Sequence, residues 1–217
     1  TAGGLKGADE FVNAYHENKD TDFHTMVSEM AKIDRKKAKT INLGLFYGMG
    51  KGKLSSELGL TPGQAEDLFE KYHSRVPFVK EMIERTMKKA SDVGHVRTLL
   101  GRKCRFDLWE PSRYGVHKPL PRDEAEREHG KQIKRAFTYK ALNKIIQGSA
   151  ADMTKKAMVD LYNEGITPHI QVHDELDCSF ADDVEKDRII EIMSNAVQLE
   201  VPVKLDCEEG PSWGEAK

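Results

Sequence analysis

Cysteine is scarce. Three residues, Cys104, Cys178 and Cys207, stand in a chain of 217, an odd number with no CxxC pair. Such usage speaks against a disulfide framework or a structural zinc site and for a reducing compartment, the cytoplasm. Long apolar runs are missing too, none approaching the roughly eighteen residues of a membrane span. The opening Thr1-Ala2-Gly3-Gly4 lacks the basic start and apolar stretch of a secretory signal. No membrane partner is expected. Internal repeats and low-complexity segments are absent. Net charge is small, -2, so the chain as a whole is not a polycation built for nucleic acid.

What is present is 38% apolar and 32% charged residues, in a length that allows one domain or two closely packed subdomains. The charge is uneven. Lys32, Arg35, Lys36, Lys37, Lys39, Lys51 and Lys53 face a single acid, Asp34, whereas acids outnumber bases from Asp182 onward. This polarity permits a local phosphate or nucleic-acid site, and it equally fits two solvated helix faces.

Periodicity predicts helix from Asp9 to Ile33, with Phe11, Val12 and Tyr15, then Met26, Val27 and Met30, as apolar positions and a break at residues 18–22. A second helix is expected over Arg35–Tyr47, a short third one over Lys53–Leu58, and a fourth behind the capping residues Thr61, Pro62 and Gln64. Pro77 opens a long helix that Gly94 stops. Val96–Leu100 and Lys103–Phe106 read as strands around a turn. Residues 107–130 read as a long connection or insertion, and Lys131–Asn163 as helix. Ile166–Phe180 reads as a hairpin, Val184–Leu199 as helix, and Val201–Leu205 as a last strand. The class is α+β, with residues 1–95 helical, 96–217 mixed, and the boundary near residue 95.

Arg35, Lys39, Leu43 and Tyr47 are spaced by four. Each step of four turns a helix by about 40°, so the four share a face about 18 Å long. Two cations lie at one end and a ring at the other, the polarity of a nucleoside triphosphate. Arg and Lys both suit phosphate oxygens. The plainer alternative is a basic amphipathic helix whose Leu43 and Tyr47 face the core. Gly48–Leu54 is glycine-rich but is no Walker loop. Its glycines are too close, Leu54 stands where Ser or Thr is needed, and a helix precedes it. His173-Asp174-Glu175 caps the predicted hairpin, and adjacent carboxylates suit Mg²⁺; acidic turns are also common without metal. Asn143 and Gln147 are four apart, followed by small residues that let another backbone approach. Their amides can donate to minor-groove acceptors found on every base pair, or be ordinary helix surface.

Taken in order, Arg35-x3-Lys39-x3-Leu43-x3-Tyr47-Gly48, Asn143-x3-Gln147-Gly148 and Gln171-Val172-His173-Asp174-Glu175 resemble the family-A DNA polymerases. That is the family of bacterial DNA polymerase I and many phage replicative polymerases. Asp22-Phe23-His24-Thr25, Thr98-Leu99-Leu100-Gly101-Arg102 and the stretch from Val201-Pro202-Val203 to Trp213 support the match, which covers essentially the whole chain.

The resemblance implies helical fingers over 1–95 and the later part of a palm over 96–217, with an antiparallel hairpin and packing helices. It implies template-directed addition of dNTPs to a primer 3′-hydroxyl. His24, Arg35 and Lys39 would hold the triphosphate, and Lys39 would also protonate the departing pyrophosphate. Leu43 would meet the sugar, and Tyr47 would sit beside the templating base. Gly48, Asn143, Gln147 and His173 would border primer-template DNA. Asp174 would bind metal, with Glu175 close by, in a site that uses two Mg²⁺ ions. Leu43 departs from the family's Phe or Tyr, so altered dideoxynucleotide selectivity is expected. The segment carrying the family's first palm Asp is not among these residues, nor is a thumb. The resemblance therefore implies a fragment or a split enzyme, completed by a second polypeptide carrying the first palm strand, the thumb and an optional exonuclease. Its setting would be bacterial or phage-infected cytoplasm. The alternative is a non-catalytic nucleotide- or nucleic-acid-binding module on the same fold; a purely structural helical protein is a third reading.

Overall fold

The computed structural model describes residues 4, 5, 7–17, 22, 24, 25, 28, 29, 32–47, 49–75, 77–113 and 115–216. Gly48 lies outside them, as do Met26, Val27 and Met30 of the predicted first helix. The chain is α+β and divides into two compact units. One comprises Thr1–Arg97 with Arg102–Ile145, the other Thr98–Gly101 with Ile146–Lys217.

The helices described at the start of the first unit include α1 (Ala8–Glu17), α2 (Arg35–Phe46), α3 (Lys51–Leu58), α4 (Pro62–Arg75) and α5 (Pro77–Val93). Local chemistry sets their ends. Asp34 accepts the Lys37 amide at 2.9 Å and starts α2. Thr61 and Gln64 form a reciprocal box before α4. The Thr61 hydroxyl accepts the Gln64 amide at 3.3 Å, and Gln64 Oε1 accepts the Thr61 amide at 3.0 Å. Gly94, at φ 79°, stops α5 in a left-handed conformation that only glycine adopts without strain. The buried core of these helices joins Leu5, Ala38, Ile41, Leu54, Leu68, Tyr72, Phe78 and Val79.

A second core in the same unit gathers Ala90, Val96, Phe106 and Ala141. It holds the antiparallel pair β1 (His95–Arg97) and β2 (Lys103–Arg105), with Val96 opposite Cys104. The strand, turn and strand predicted there are therefore present but shorter, and residues 95–97 and 102–105 belong with the helical unit.

Residues 107–130, expected as a long connection or insertion, carry β3 (Leu108–Pro111), β4 (Leu120–Pro121) and α6 (Arg122–His129). Lys131–Asn163, expected as helix throughout, is not one helix. β5 (Ile133–Arg135) completes a three-stranded sheet in the order β4-β3-β5. A turn with Phe137 at φ 60° and a short 3₁₀ segment (Thr138–Lys140) then precede α7 (Ala141–Asn163). Cross-strand pairs drive the difference. Trp109 lies opposite Arg135 and Glu110 opposite Lys134, and the guanidinium groups of Arg122 and Arg135 sit 5.0 and 4.5 Å from the Trp109 ring.

The second unit holds the remainder of α7, the hairpin β6 (Ile170–Val172) and β7 (Glu175–Asp177), and α8 (Asp183–Asn195). Asp182 caps α8 by accepting the Glu185 amide at 2.9 Å, and Glu185 returns a bond to the Ala181 amide. Residues 201–205, expected as a strand, are irregular; their Val and Leu pattern pairs with no strand among the described residues. No helix among the described residues is long and apolar enough to cross a membrane.

Candidate active site

Helix α2 turns two different faces outward and inward. Ala38 and Ile41 are 0% and 1% exposed and lie in the core. At 100° per residue they sit roughly opposite the Arg35-Lys39-Leu43-Tyr47 stripe. Arg35 and Lys39 are exposed, Leu43 is 46% exposed, and Tyr47 is half-buried. Leu43 does not face the core, which decides that alternative for this residue.

The stripe does not stand alone. Asp22 gathers three donors. Its Oδ2 accepts Arg35 Nε at 2.6 Å and the Thr25 hydroxyl at 2.7 Å, and its Oδ1 accepts the His24 amide at 2.9 Å. The Thr25 hydroxyl, then the Arg35 guanidinium, hold the Asp22 carboxyl well below the usual carboxylate range. Asn42, 3% exposed, places Nδ2 within hydrogen-bond distance, 3.0 Å, of His24 Nδ1. Predicted residues His24 and Arg35 are thus brought together, with Lys39 one turn further along α2. Asp22, Thr25 and Asn42 were not singled out as site residues. The Asp-x-His-Thr spacing signals the turn that closes on Asp22. Asn42 carries a weaker signal, a polar residue between the buried positions of an amphipathic helix.

In the second unit, β6 and β7 pair with Val172 opposite Glu175, which leaves His173 and Asp174 as a two-residue turn. His173 takes φ 55°, and Gln171 Nε2 donates to its carbonyl at 3.0 Å. Asp174 and Glu175 are exposed, and neither carboxylate has an ion-pair partner among the described residues. Hard oxygen donors in adjacent positions fit Mg²⁺, which takes one or two carboxylates beside waters and substrate phosphates. Among the described residues no three His, Cys, Asp or Glu side chains gather into a fuller cage.

Asn143 and Gln147 lie one turn apart on α7, half-buried and exposed. The small residues that follow do receive another backbone: the Leu99 amide donates to Ser149 Oγ at 2.9 Å.

Comparison with known proteins gives a consistent result. The family described as DNA polymerase family A matches residues 5–215. A DNA-directed DNA polymerase of Pseudomonas phage M6 is 34% identical over 94% of this chain and 33% of its own length. The thermostable DNA polymerase I of Thermus filiformis is 34% identical over 98% of this chain and 25% of its length. A solved structure, the POL domain of Pol1 from M. smegmatis in complex with DNA primer-template and dNTP, is similar with a TM-score of 0.67. It is 27% identical, over 89% of this chain and 34% of that one. The chain therefore spans about a third or less of the length of these relatives.

Proposed function

The chain belongs to DNA polymerase family A, and on that premise we propose that it carries the nucleotide-binding fingers and the later palm of a template-directed DNA polymerase. Residues 1–95 serve as fingers and 96–217 as palm. The observation that carries the reading is the exposed face of α2, with Arg35, Lys39, Leu43 and Tyr47 in order and His24 tied beside its cationic end.

In this reading Arg35 and His24 grip the triphosphate, Arg35 through its planar fork and His24 through a ring N–H. Lys39 follows along the same face and gives a proton to the departing pyrophosphate as the primer 3′-hydroxyl attacks the α-phosphorus in line. Leu43 meets the sugar and Tyr47 the templating base. Asn143, Gln147, Gly48 and His173 border the primer-template. Family-A polymerases depend on divalent metal, and Asp174 is the oxygen ligand this chain would contribute, with Glu175 close by. Two Mg²⁺ ions, when bound, would lower the proton affinity of the 3′-hydroxyl and offset charge on the leaving group.

A two-metal site also needs a carboxylate from the family's first palm motif, so we propose that a further polypeptide segment supplies it with the thumb, as a partner chain or a longer form. The setting is the cytoplasm of a bacterium or of its phage-infected form. Primer extension with Mg²⁺ and dNTPs tests the reading, with this chain alone and with a polypeptide carrying the first palm motif and thumb. Activity is expected only in the mixture and is lost with Asp174→Asn. Nucleotide binding without extension in any mixture would favour a non-catalytic module instead.

A further inference from the structure

We propose that Asp22 and Asn42 are positioning residues that set Arg35 and His24 in place before the nucleotide arrives. The inference rests on the proposed role of α2 in triphosphate binding and adds the residues that organise it.

A guanidinium on a flexible stem reaches many geometries, and each must be given up when it grips a phosphate. Asp22 takes only Nε of Arg35, at 2.6 Å. The outer nitrogens Nη1 and Nη2 have no partner among the described residues, so one corner of the fork is anchored and the remainder is offered. The anchor is itself fixed, because the Thr25 hydroxyl and the His24 amide converge on the same carboxylate at 2.7 and 2.9 Å. Its side chain is 30% exposed against 62% for Arg35. Asp22 is thus the held member of the pair and Arg35 the presented one.

Asn42 acts on the second donor. Asn42 Nδ2 lies 3.0 Å from His24 Nδ1; an amide nitrogen only donates, so this placement assigns Nδ1 as the acceptor, the ring nitrogen without a proton. The neutral ring then keeps its proton on Nε2, the nitrogen left to meet an anion. Asn42 pays a structural penalty for this. Its Oδ1 is buried without a hydrogen-bond partner among the described residues, at a border of α2 whose neighbours Ala38 and Ile41 are in the core. An apolar residue would suit that border better, and what the amide provides there is the bond to His24.

The two contacts are independent of each other and converge on adjacent donors. Asp22 fixes the Arg35 fork and the His24 backbone, and Asn42 fixes the His24 ring. Together they convert two mobile side chains into a preformed anion grip.

The test is equilibrium titration of the full 217-residue chain with dATP and Mg²⁺, and with deoxyadenosine as the phosphate-free control. Arg35→Ala is expected to weaken dATP binding about tenfold or more, and Asp22→Asn about five- to tenfold, with deoxyadenosine unaffected. The double variant should be no weaker than Arg35→Ala alone, because Asp22 acts through Arg35. If wild type binds no dATP, or Arg35→Ala changes nothing, the triphosphate reading of α2 fails and the proposal falls with it. If Arg35→Ala weakens binding but Asp22→Asn leaves it unchanged, the positioning role alone is overturned. Tighter binding by Asp22→Asn would make Asp22 a competitor of phosphate, which also overturns it. For Asn42, imidazole nitrogen resonances of the wild-type chain read the His24 tautomer without any substitution. A proton on Nε2 is expected, and one on Nδ1 refutes the assignment. Asn42→Leu, checked for an unchanged fold by circular dichroism, should then give a mixture of both tautomers.

Discussion

Truncating two neighbours on α2 separates its two faces. Ile41 is 1% exposed within the core, and Leu43, two residues on, is 46% exposed. Ile41→Ala deletes three carbon atoms. At about 0.8 kcal/mol per buried methylene the transfer loss is about 2.4 kcal/mol. A residual cavity adds to this and brings the total to about 3–4 kcal/mol. Leu43→Ala deletes the same number of carbons from a half-wetted site and leaves no closed cavity, so about 1 kcal/mol is expected. Alanine's helix propensity recovers a few tenths of that. In a chain of this length 1 kcal/mol moves the midpoint by about 2–4 °C. The Ile41 variant should therefore melt about 6–16 °C lower and the Leu43 variant no more than about 4 °C lower.

Thermal melts followed by far-UV circular dichroism, with and without dNTP and Mg²⁺, read both quantities. The folded Ile41 variant should keep the nucleotide-induced rise in midpoint, and the Leu43 variant should show a smaller one. Equal destabilisation by the two truncations would mean that Leu43 packs in the core and that the stripe is not a free face. That result would sink the assignment of α2 as the nucleotide helix, whatever the family.

Other outcomes follow from single contacts. Thr61→Ala removes one half of the cap on α4 and should cost about 1 kcal/mol, read by urea unfolding; no change would mean that Gln64 alone holds the helix start. Gly94→Ala places a Cβ 2.7 Å from Arg135 Cζ at a residue with φ 79°, so a loss of at least about 1–2 kcal/mol is expected in the same assay. Burial, then the Lys80 charge, pushes the His73 imidazole below its ordinary value of 6.5. Below that pH the unfolded chain binds the extra proton more readily, so His73 lowers stability as pH falls. His73→Phe should thus shrink the difference in midpoint between about pH 7.5 and about pH 5, and an unchanged difference would contradict the burial. Leu43→Phe should alter the ratio of dideoxynucleotide to deoxynucleotide incorporation in the completed enzyme; an equal ratio removes the sugar-contact role.

Where the sequence could be read, the determinants were local. The capping box at Thr61 and Gln64, the glycine stop at Gly94, and the period of Arg35–Phe46 each specify an element within one or two turns. The hairpin around His173 was legible because turn residues and strand residues alternate over a few positions. The sheet of β3, β4 and β5 was not. Trp109 pairs with Arg135 across a long stretch of chain, β4 is two residues long, and Pro111 ends β3 where a proline reads as a break. Residues 201–205 show the converse. Val201 and Val203 have the right propensity, but a strand exists only by pairing, and propensity does not supply a neighbour. Within the site, the stripe was visible and its support was not, since Asp22 and Arg35 are thirteen positions apart and join through the fold.

The charge pattern of α2 gives a reason to regard this helix as functional that does not depend on kinship. Helices favour acids in the first turn and bases in the last. Helix α6 obeys, with Asp123 and Glu124 first and Arg127 and His129 last, and α8 begins with Asp183 and Glu185. Helix α2 begins Arg35-Lys36-Lys37, with no acid in its first turn and no base in its last. Three cations thus crowd the positive end of the helix dipole and repel one another there. The surrounding structure relieves this only in part. Asp34 caps the helix from outside and holds its carboxylate below the usual range chiefly through the Lys37 amide, while Asp22 reaches Arg35. Lys39, one turn on, has no ion-pair partner among the described residues. Helices α3, α4, α5 and α7 also have no acid in the first turn, so what marks α2 is the run of three cations at its start. Such a local cost is expected where function outweighs helix stability. The ligand that would remove the conflict is a multiply charged anion at that end of the helix.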